Sequence, residues 1–449
     1  MSQDVTATLA RFASTLAYEE IPERVRERTK DLLLDALACA LAGYRGEDTA
    51  KVLRFAAALG ASQESSIIGD GRLSLPGATL FNGFLITAVS MCDVYRPTAT
   101  HFQPVIVSPA LAIAERDAAS GRDLLVALVA GFETAARIAA GVDYPAFRQR
   151  GWHGPGTIGP FGAAAAVGRL RAFSPEKMAT AFGLAGSQAA GTFAAWGTPS
   201  VKFHQFRGAL SGLMAALLAE EDFSATREFL DAPDGGFYAT YCGGAPGGAA
   251  TAALGAHWEL EQIALRPTPT SAASQGIVTA LSDLLERDHL DAARTRRLRI
   301  RVSPACYEAY KDRRAYSGKW QASASLLYTA TALLHDRELW LDQFEPQRYD
   351  DPKLRRFSQE CVELHGDAAL VAEQAIVEAE LDDGSRLSAH CKASKGTPEN
   401  PLTRPEIEDK LRRAARDCLA PAAVERIIDA VAQIERLPSA QSLLHALRQ

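Results

Sequence analysis

Several helical segments of this sequence consist largely of alanine and glycine and have almost no polar face, and this feature constrains the fold more than any other. Residues 184–191, for example, read Leu-Ala-Gly-Ser-Gln-Ala-Ala-Gly. A surface helix of such residues would expose its backbone, whereas small side chains let helices pack closely around one another. The segment therefore predicts a bundle of closely packed, buried helices.

Helical spacing of apolar residues extends this bundle through the first half of the chain. Pro22 can occupy a first helical turn, and apolar residues then recur at helical spacing until Gly43 ends the run. Similar patterns occupy residues 80–89, 106–119, 124–140, 159–170, 175–190 and 208–220. A chain of 449 residues suggests two or three domains. We expect residues 1–260 to form the first part of a large helical domain.

The pattern changes in the second half of the chain to one typical of a mixed domain. Residues 298–302 alternate apolar and charged side chains as a half-buried strand does. Residues 375–381 and 385–391 flank an Asp-Asp-Gly turn, as the strands of a hairpin do. Residues 317–334 have a helical pattern. We expect a small α+β domain over residues 261–397.

Helical patterns resume after a polar stretch that contains glycine and proline. From Arg404 onward, Leu411, Leu419, Val424 and Ile428 are candidate apolar anchors. We expect residues 398–449 to form a helical tail that returns to the large domain. The predicted fold class is mainly α, with a large all-helical domain plus a smaller inserted α+β domain.

Charge and hydropathy exclude several classes of partner. Apolar residues make up 47% of the chain and charged residues 23%, as in an ordinary globular protein. The formal net charge of −6 gives no overall positive field, so we expect no nucleic-acid or membrane partner. The beginning of the sequence lacks a signal-peptide pattern and no apolar run approaches the ~20 residues of a membrane span, so we expect a cytoplasmic protein.

The sequence also lacks the motifs of the common cofactors and metals. Its seven cysteines are scattered without a Cys-x-x-Cys pair, which favours reduced, structural thiols. No Walker or dinucleotide glycine motif, Gly-x-Ser-x-Gly elbow or His-Glu-x-x-His motif is present. We therefore expect no metal and no cofactor, and any chemistry would be acid–base work by side chains.

Three polar stretches are candidates for such chemistry. Residues 91–103 place Asp93, Tyr95, Arg96 and His101 between two apolar helical runs, where they could line a cleft. The alternative is a solvated loop.

The second and third stretches carry histidines beside features that suit an anion. His153 lies in a Gly/Pro turn before a helix, where backbone amides would face an anion. Lys202, His204 and Arg207 lie ahead of an apolar helix, and two cations with an imidazole suit carboxylate binding. An ordinary surface turn and a solvated helix start are the respective alternatives.

At these stretches the chain resembles the MmgE/PrpD family, which includes 2-methylcitrate dehydratase, cis-aconitate decarboxylase and iminodisuccinate epimerase. The resemblance runs nearly from end to end. It rests on residues 30–43 (Lys-Asp-Leu-Leu-Leu-Asp-Ala-Leu-Ala-Cys-Ala-Leu-Ala-Gly), Asn82-Gly83, residues 151–166 (beginning Gly-Trp-His-Gly-Pro-Gly-Thr), residues 237–241 (Phe-Tyr-Ala-Thr-Tyr) and residues 395–403 (Lys-Gly-Thr-Pro-Glu-Asn-Pro-Leu-Thr).

The resemblance implies a homodimer with an active site in the cleft between a large helical and a small domain. It assigns His101, His153 and Tyr328 to the site and matches His204 to a further family position. The catalytic candidates are then His101, His153, Tyr328, Lys202 and Asp93. The candidates for substrate binding are His204, Arg207, Arg266, Arg96, Tyr95 and Gln275.

The first departures from the family pattern lie around residues 90–94, which read Ser-Met-Cys-Asp-Val. In place of a Leu-Asp-Phe-Asp-Asp-Thr-like run, the chain keeps only the last aspartate as Asp93. Ser90 replaces the leading aspartate and Val94 replaces the threonine.

Further departures affect the cations. With His204 in register, the family's lysine falls on Val201, and only a slip of one residue would restore Lys202. Arg266 replaces the lysine of a Lys-Pro-Tyr-Pro-like run, and Gln275 replaces a histidine. Arginine can hold a carboxylate but cannot act as a base.

The resemblance, together with these residues, implies a cofactor-free lyase that removes a proton beside a carboxylate of a small di- or tricarboxylic acid. Such chemistry needs a base, cations for the acid and a proton donor. A 2-methylcitrate dehydratase-like elimination ranks ahead of a cis-aconitate decarboxylase-like reaction. The alternatives are an epimerase or isomerase of a small dicarboxylate, such as iminodisuccinate, and an inactive paralogue that binds a small acid.

Overall fold

The computed structural model describes residues 4–448 and confirms a mainly α fold with a smaller α+β part. The helices of the first half are α1 (Val5–Thr15), α2 (Glu23–Ala42), α3 (Thr49–Ala57), α4 (Leu75–Thr87), α5 (Gln103–Arg116), α6 (Gly121–Ala140), α7 (Tyr144–Gln149), α8 (Gly154–Thr157), α9 (Gly159–Leu170), α10 (Pro175–Gly186) and α11 (Ser200–Glu220). None of the helices within residues 4–448 is both long enough and apolar enough to cross a membrane.

The second half contains the larger sheet. Its helices are α12 (Gln275–Arg287), α13 (Pro304–Tyr310), α14 (Lys319–Ala324), α15 (Leu326–Asp336), α16 (Pro346–Tyr349), α17 (Pro352–Glu360), α18 (Arg404–Ala415), α19 (Pro421–Ala432) and α20 (Gln441–Ala446). The strands are β1 (Ser65–Ile67), β2 (Asp70–Leu73), β3 (Val94–Tyr95), β4 (Ile263–Ala264), β5 (Thr295–Val302), β6 (Val362–Gly366), β7 (Ala375–Leu381) and β8 (Arg386–Cys391).

Two large hydrophobic cores organise these elements. The first core contains side chains from residues 5–265 together with side chains from residues 402–447, and Trp340 and Leu341 also join it. The second core contains side chains from residues 277–391. We call the parts around them the large and the small domain. The tail therefore packs with the first half of the chain, while the expected boundaries at residues 260 and 397 stay predictions.

Small residues bring the helices of the large domain into close contact. A Cβ atom on Gly131 of α6 would lie 2.8 Å from the carbonyl oxygen of Gly162 in α9, and the reverse substitution gives the same distance. Such an approach lies far inside van der Waals contact, so the two backbones touch directly. The small-residue segments serve the close packing that their sequence predicts.

The small domain is built on a four-stranded sheet in the order β6-β5-β7-β8. β5 is parallel to β6 and antiparallel to β7, and β7 pairs antiparallel with β8 as the expected hairpin. Buried and half-exposed side chains alternate along β7, so one face covers the second core. The single helix expected over residues 317–334 is two helices in the structure, α14 and α15. They are divided at Ser325, whose side chain caps α15 by accepting a hydrogen bond from the amide of Tyr328.

The large domain differs from the all-helical expectation in two short strand pairs. β1 and β2 form a hairpin, and β3 pairs with β4, Val94 opposite Ala264. The second pair joins the polar loop before α5 to the segment that leads into the small domain. It fixes the loop beside the cleft between the domains.

A buried ion pair joins the tail to the same region. Lys410 of α18 donates to Asp35 of α2 at 2.6 Å, and both side chains are buried. The same ammonium donates to the carbonyl oxygens of Met91 (3.1 Å) and Arg266 (2.7 Å). One side chain of the tail therefore holds both backbone segments that border the cleft.

Candidate active site

A cavity of about 290 Å³ lies between the two domains and receives side chains from both. From the large domain, His101, His153 and Lys202 line it. Arg266 and Ser271, from the segment that leads into the small domain, also line it, together with Tyr310, Trp320 and Ser323 of the small domain. The cavity is large enough for a small organic acid, and it brings together three of the five predicted catalytic residues.

The hydrogen bonding of His101 fixes which ring nitrogen can act as a base. Its Nδ1 contacts the backbone carbonyl oxygen of Asp93, and a carbonyl oxygen can only accept a hydrogen bond. Nδ1 must therefore carry the proton, which leaves Nε2 with a free lone pair. Burial, helped by the nearby Arg266, lowers the pKa of His101 to about 4, so the ring is neutral at pH 7.

Asp93 lies behind His101 and does not line the cavity. Its carboxylate accepts the amides of Phe102 at 2.8 Å and Gln103 at 3.0 Å, at the beginning of α5. Burial raises the pKa of this carboxyl group to about 7. Asp93 therefore positions the loop that carries His101, and the structure gives it no direct contact with the cavity.

Cys92, Asp93 and His101 place potential ligand atoms within 4.8 Å of one another, the one such group found among the described residues. The partners of these atoms argue against a cation there. Both carboxylate oxygens of Asp93 accept amides, and the Arg266 guanidinium lies 3.5 Å from the Cys92 sulfur. A cation there would have to share the Asp93 oxygens with those amides and lie beside the positive charge of Arg266.

His153 faces the cavity from the other histidine-bearing turn and is almost fully buried. It precedes α8, as expected for the Gly-Trp-His turn. Its Nδ1 lies 2.9 Å from Nδ1 of His204, which is half-buried and does not line the cavity. Burial lowers the pKa of His153 well below its usual range, and the neighbouring His101 and His204 add to the effect. The expected role of His204 in substrate binding is not supported, because His153 separates it from the cavity.

Two buried cations supply the positive charge of the cavity. Lys202 donates to the carbonyl oxygen of Ala88, and burial lowers its pKa to about 8. Arg266 donates to the carbonyl oxygens of Cys92 at 2.6 Å and Thr270 at 2.8 Å. Each side chain keeps further N–H groups beyond these bonds, since an ammonium has three and a guanidinium five. No aspartate or glutamate among the described residues lines the cavity, so it suits an anion.

The structure does not place Tyr328 in the cavity. Its ring is fully buried in the small-domain core, in contact with Tyr316 and Phe344, and its hydroxyl donates to the carbonyl oxygen of Gln343. The role of proton donor expected for Tyr328 is therefore not supported. Tyr310, at the end of α13, is the tyrosine that lines the cavity.

Tyr95 and Arg96 also lie away from the cavity, because other groups already engage their polar atoms. The hydroxyl of Tyr95 donates to Glu259 at 2.8 Å. Arg96 forms ion pairs with Glu373 at 2.7 Å and Glu399 at 2.6 Å. The ion pair with Glu373 joins the polar loop to the small domain, whereas Tyr95 bonds within the large domain, so both residues serve the structure around the cleft.

The remaining predicted binding residues likewise bond to protein atoms outside the cavity. The guanidinium of Arg207 donates to backbone carbonyl oxygens, including those of Gln188 and Ala190, each at 2.7 Å. The amide of Gln275 donates to the hydroxyl of Thr270 at 2.7 Å. The sequence predicts that Lys202 and Arg207 lie ahead of an apolar helix. In the structure they lie inside that helix, because α11 begins at Ser200.

Sequence reasoning missed the aromatic residues that close the cavity. Trp196 of the large domain meets Trp320 and Tyr310 of the small domain, with ring centroids 6.1 and 5.6 Å apart. The guanidinium carbon of Arg313 lies 3.3 Å from the centroid of the Trp196 ring. No sequence motif marks these residues, and only the approach of the two domains brings them together.

Comparison with known proteins places this cavity in context. Residues 7–248 match the MmgE/PrpD N-terminal domain, and residues 269–436 match the MmgE/PrpD C-terminal domain. The chain belongs to the MmgE/PrpD family. It is 29% identical to the cis-aconitate decarboxylase-like protein oryM of Aspergillus oryzae, over 98% of this chain and 96% of that protein. It is 26% identical to a cis-aconitate decarboxylase of Aspergillus terreus (99% and 96%) and 25% identical to the human cis-aconitate decarboxylase (100% and 95%).

Two departures from the MmgE/PrpD pattern lie in the wall of the cavity. Val201 and Lys202 both line it, so the lysine reaches the cavity whichever of the two positions corresponds to the family's lysine. Ser90, which replaces the leading aspartate, lines it in a left-handed conformation with φ of 58°. A non-glycine residue in this region is strained, and such strain concentrates at functional sites.

Proposed function

We propose that this protein is a lyase that moves a proton beside a carboxylate of a small di- or tricarboxylic acid. The single observation that carries this proposal is the contact of His101, whose Nδ1 lies against the carbonyl oxygen of Asp93 and so donates to it. The free Nε2 of His101 belongs to a ring that lines the same cavity as two cations and a second neutral histidine. Such a set offers a base, a proton donor and positive charge for an anionic substrate.

Each group has a role that follows from its surroundings. Lys202 and Arg266 hold carboxylates and stabilise the negative charge that develops when a proton or carbon dioxide leaves. His101 accepts a proton through Nε2, because its Nδ1 proton is committed to the carbonyl of Asp93. His153 exchanges a proton with the substrate as the second acid–base group. Trp196, Trp320 and Tyr310 separate the reacting atoms from bulk water.

Decarboxylation of an unsaturated acid such as cis-aconitate is the reaction that the relatives favour. The sequence alone ranks elimination of water ahead of decarboxylation, and the similarity to cis-aconitate decarboxylases over nearly the whole chain reverses that order. Both reactions need the cations and a proton donor, and elimination also needs the base, so elimination stays the second candidate. Epimerisation needs two acid–base groups, and the experiment below tests it. The same experiment tests the alternative that the protein binds a small acid without turning it over.

The proposed chemistry uses side chains alone, in line with a cofactor-free enzyme, since Lys202 and Arg266 supply the positive charge that a metal would otherwise provide. We further propose a cytoplasmic homodimer. Phe203, Met214 and Leu218 on α11 are 44%, 46% and 40% exposed, and their spacing of 11 and 4 residues brings them near one face of the helix. A second copy could cover this face, and light scattering after gel filtration tests the dimer by its mass.

The experiment is proton NMR of the purified protein with cis-aconitate, 2-methylcitrate, citrate and iminodisuccinate, each in water and in deuterium oxide, with and without a chelator. A decarboxylated product from cis-aconitate, unaffected by the chelator, is expected. A dehydrated product from a hydroxy acid would favour elimination, and deuterium exchange without a new product would favour epimerisation. Stabilisation of the protein by an acid that it neither turns over nor exchanges with solvent deuterium would refute the proposal that the protein is an enzyme.

A further inference from the structure

His204 makes a contact that substrate binding does not explain. Its Nδ1 lies 2.9 Å from Nδ1 of His153, and the two ring centroids are 5.1 Å apart. His153 lines the cavity and is 4% exposed, whereas His204 is half-buried and lies outside the cavity. The pair therefore connects the interior of the cavity to a side chain that solvent can reach.

The contact restricts where protons can lie. Two Nδ1 atoms at hydrogen-bond distance share one proton, so one ring donates and the other accepts. When both rings are neutral, the donor ring has its lone pair on Nε2 and the acceptor ring has its proton there. Moving the shared proton from one ring to the other keeps both rings neutral only if one outer nitrogen loses a proton and the other gains one in the same step.

The backbone forms a slot that holds the pair together. A Cβ atom on Gly191, whose φ is +130°, would lie 2.8 Å from the imidazole ring of His204. A Cβ atom on Gly156 would lie 3.0 Å from the Cβ of His204. The carbonyl oxygen of Gly191 accepts the amide of His153 at 3.0 Å, and Phe193 packs edge-on against the ring of His153. Two glycines thus give His204 room beside His153.

We propose that His204 is a proton-relay residue, which exchanges protons between His153 in the cavity and solvent. This role rests on the proposed function. When His153 gives its Nε2 proton to the substrate carbon, the bond from that nitrogen to hydrogen breaks and a carbon–hydrogen bond forms. In the same concerted step the Nδ1 proton of His204 passes to Nδ1 of His153 and water supplies a proton to Nε2 of His204, so both rings stay neutral and each ends in its other tautomer. A proton from water in the cavity, moving in the reverse direction, resets the pair after the product leaves. The reverse sequence carries a proton from the substrate to solvent.

The charges around the pair suit a relay between neutral rings. Arg148 and His101 lie on the side of His153, and Arg207 lies on the side of His204. No carboxylate of the described residues is within hydrogen-bond distance of either ring in the structure. An imidazolium is disfavoured there, so concerted transfer avoids a charged intermediate.

The first test compares His204→Ala and His204→Asn with the wild type on the acid that the wild type turns over. The side-chain amide of Asn can form a hydrogen bond with His153 but cannot transfer a proton between His153 and solvent. We expect both variants to lower kcat by about 10²-fold or more, within the range for general acid–base groups. The effect on KM should be small. Added imidazole should restore turnover to His204→Ala, whose vacated slot can admit it.

His335 provides a matched control, because it is a half-buried histidine in the small domain. His335→Ala should keep wild-type turnover and show no response to imidazole. Wild-type kcat in His204→Asn would overturn the relay. A loss in His204→Ala that imidazole does not restore would also overturn it, since a merely structural role predicts that result.

A second measurement needs no substrate. In protein with nitrogen-15-labelled histidine, NMR should show one proton shared between the Nδ1 atoms of His153 and His204, and this signal should vanish in His204→Ala. Turnover without a shared proton rejects the relay alone. A shared proton in a protein that turns over no acid rejects the proposed function and the relay with it.

Discussion

Removal of the Lys410 ammonium, as in Lys410→Met, should destabilise the protein strongly. Its Nζ bonds to Asp35 and to the carbonyl oxygens of Met91 and Arg266, all in the interior. In the variant, the buried carboxylate of Asp35 loses the ammonium and keeps the side-chain amide of Gln103 as a hydrogen-bond donor, at 3.1 Å. Breaking a buried ion pair by removing one partner costs about 3–5 kcal/mol. We expect the free energy of unfolding to fall by that amount.

Urea unfolding followed by circular dichroism measures the loss, and Lys51→Met is the matched control. Lys51 pairs with Asp48 at the same 2.6 Å, but its side chain is 73% exposed, so its removal should leave stability nearly unchanged. The double variant Asp35→Leu/Lys410→Met should recover much of the loss, because it removes both charges. A loss below about 1 kcal/mol in the single variant, or no recovery in the double variant, would refute the reasoning.

Three further predictions follow from the cavity and the bundle. Lys202 is charged below its pKa of about 8 and neutral above it, so kcat/KM should fall above pH 8 and Lys202→Arg should remove this alkaline limb. Tyr328→Phe should cost about 1 kcal/mol in urea unfolding with kcat unchanged; a large loss of kcat with unchanged stability would restore the assignment of Tyr328. Gly131→Ala should lower stability by about 1–3 kcal/mol, because its Cβ would meet the carbonyl of Gly162 at 2.8 Å; an unchanged unfolding midpoint would contradict the close packing.

The fold could be predicted largely from local signals. Pro22 and Gly43 flank α2, close to the boundaries that the sequence predicts, and the Asp-Asp-Gly turn joins β7 to β8. These signals act over a few residues, so the chain itself carries them. The short pairing of β3 with β4 joins segments some 170 residues apart, and no periodicity marks it.

The candidate site could be predicted only in part, for the same reason. His101, His153 and Lys202 lie in unusual polar stretches, and the structure brings all three to one cavity. Tyr310 and Tyr328 lie on two helices of one domain, α13 and α15, and the sequence does not tell which of them faces the cleft. That distinction depends on packing, since every side of α15 around Tyr328 is buried.

The most direct measurement follows deuterium from the solvent into the substrate or product during turnover in deuterium oxide. Wild-type protein should transfer one deuteron to carbon, and His101→Gln and His153→Gln should each lower the rate of transfer by about 10²-fold or more, because each variant removes an acid–base group. Both variants should keep the circular dichroism spectrum of the wild type. Wild-type rates in both variants would contradict the claim that these two histidines carry the proton transfer.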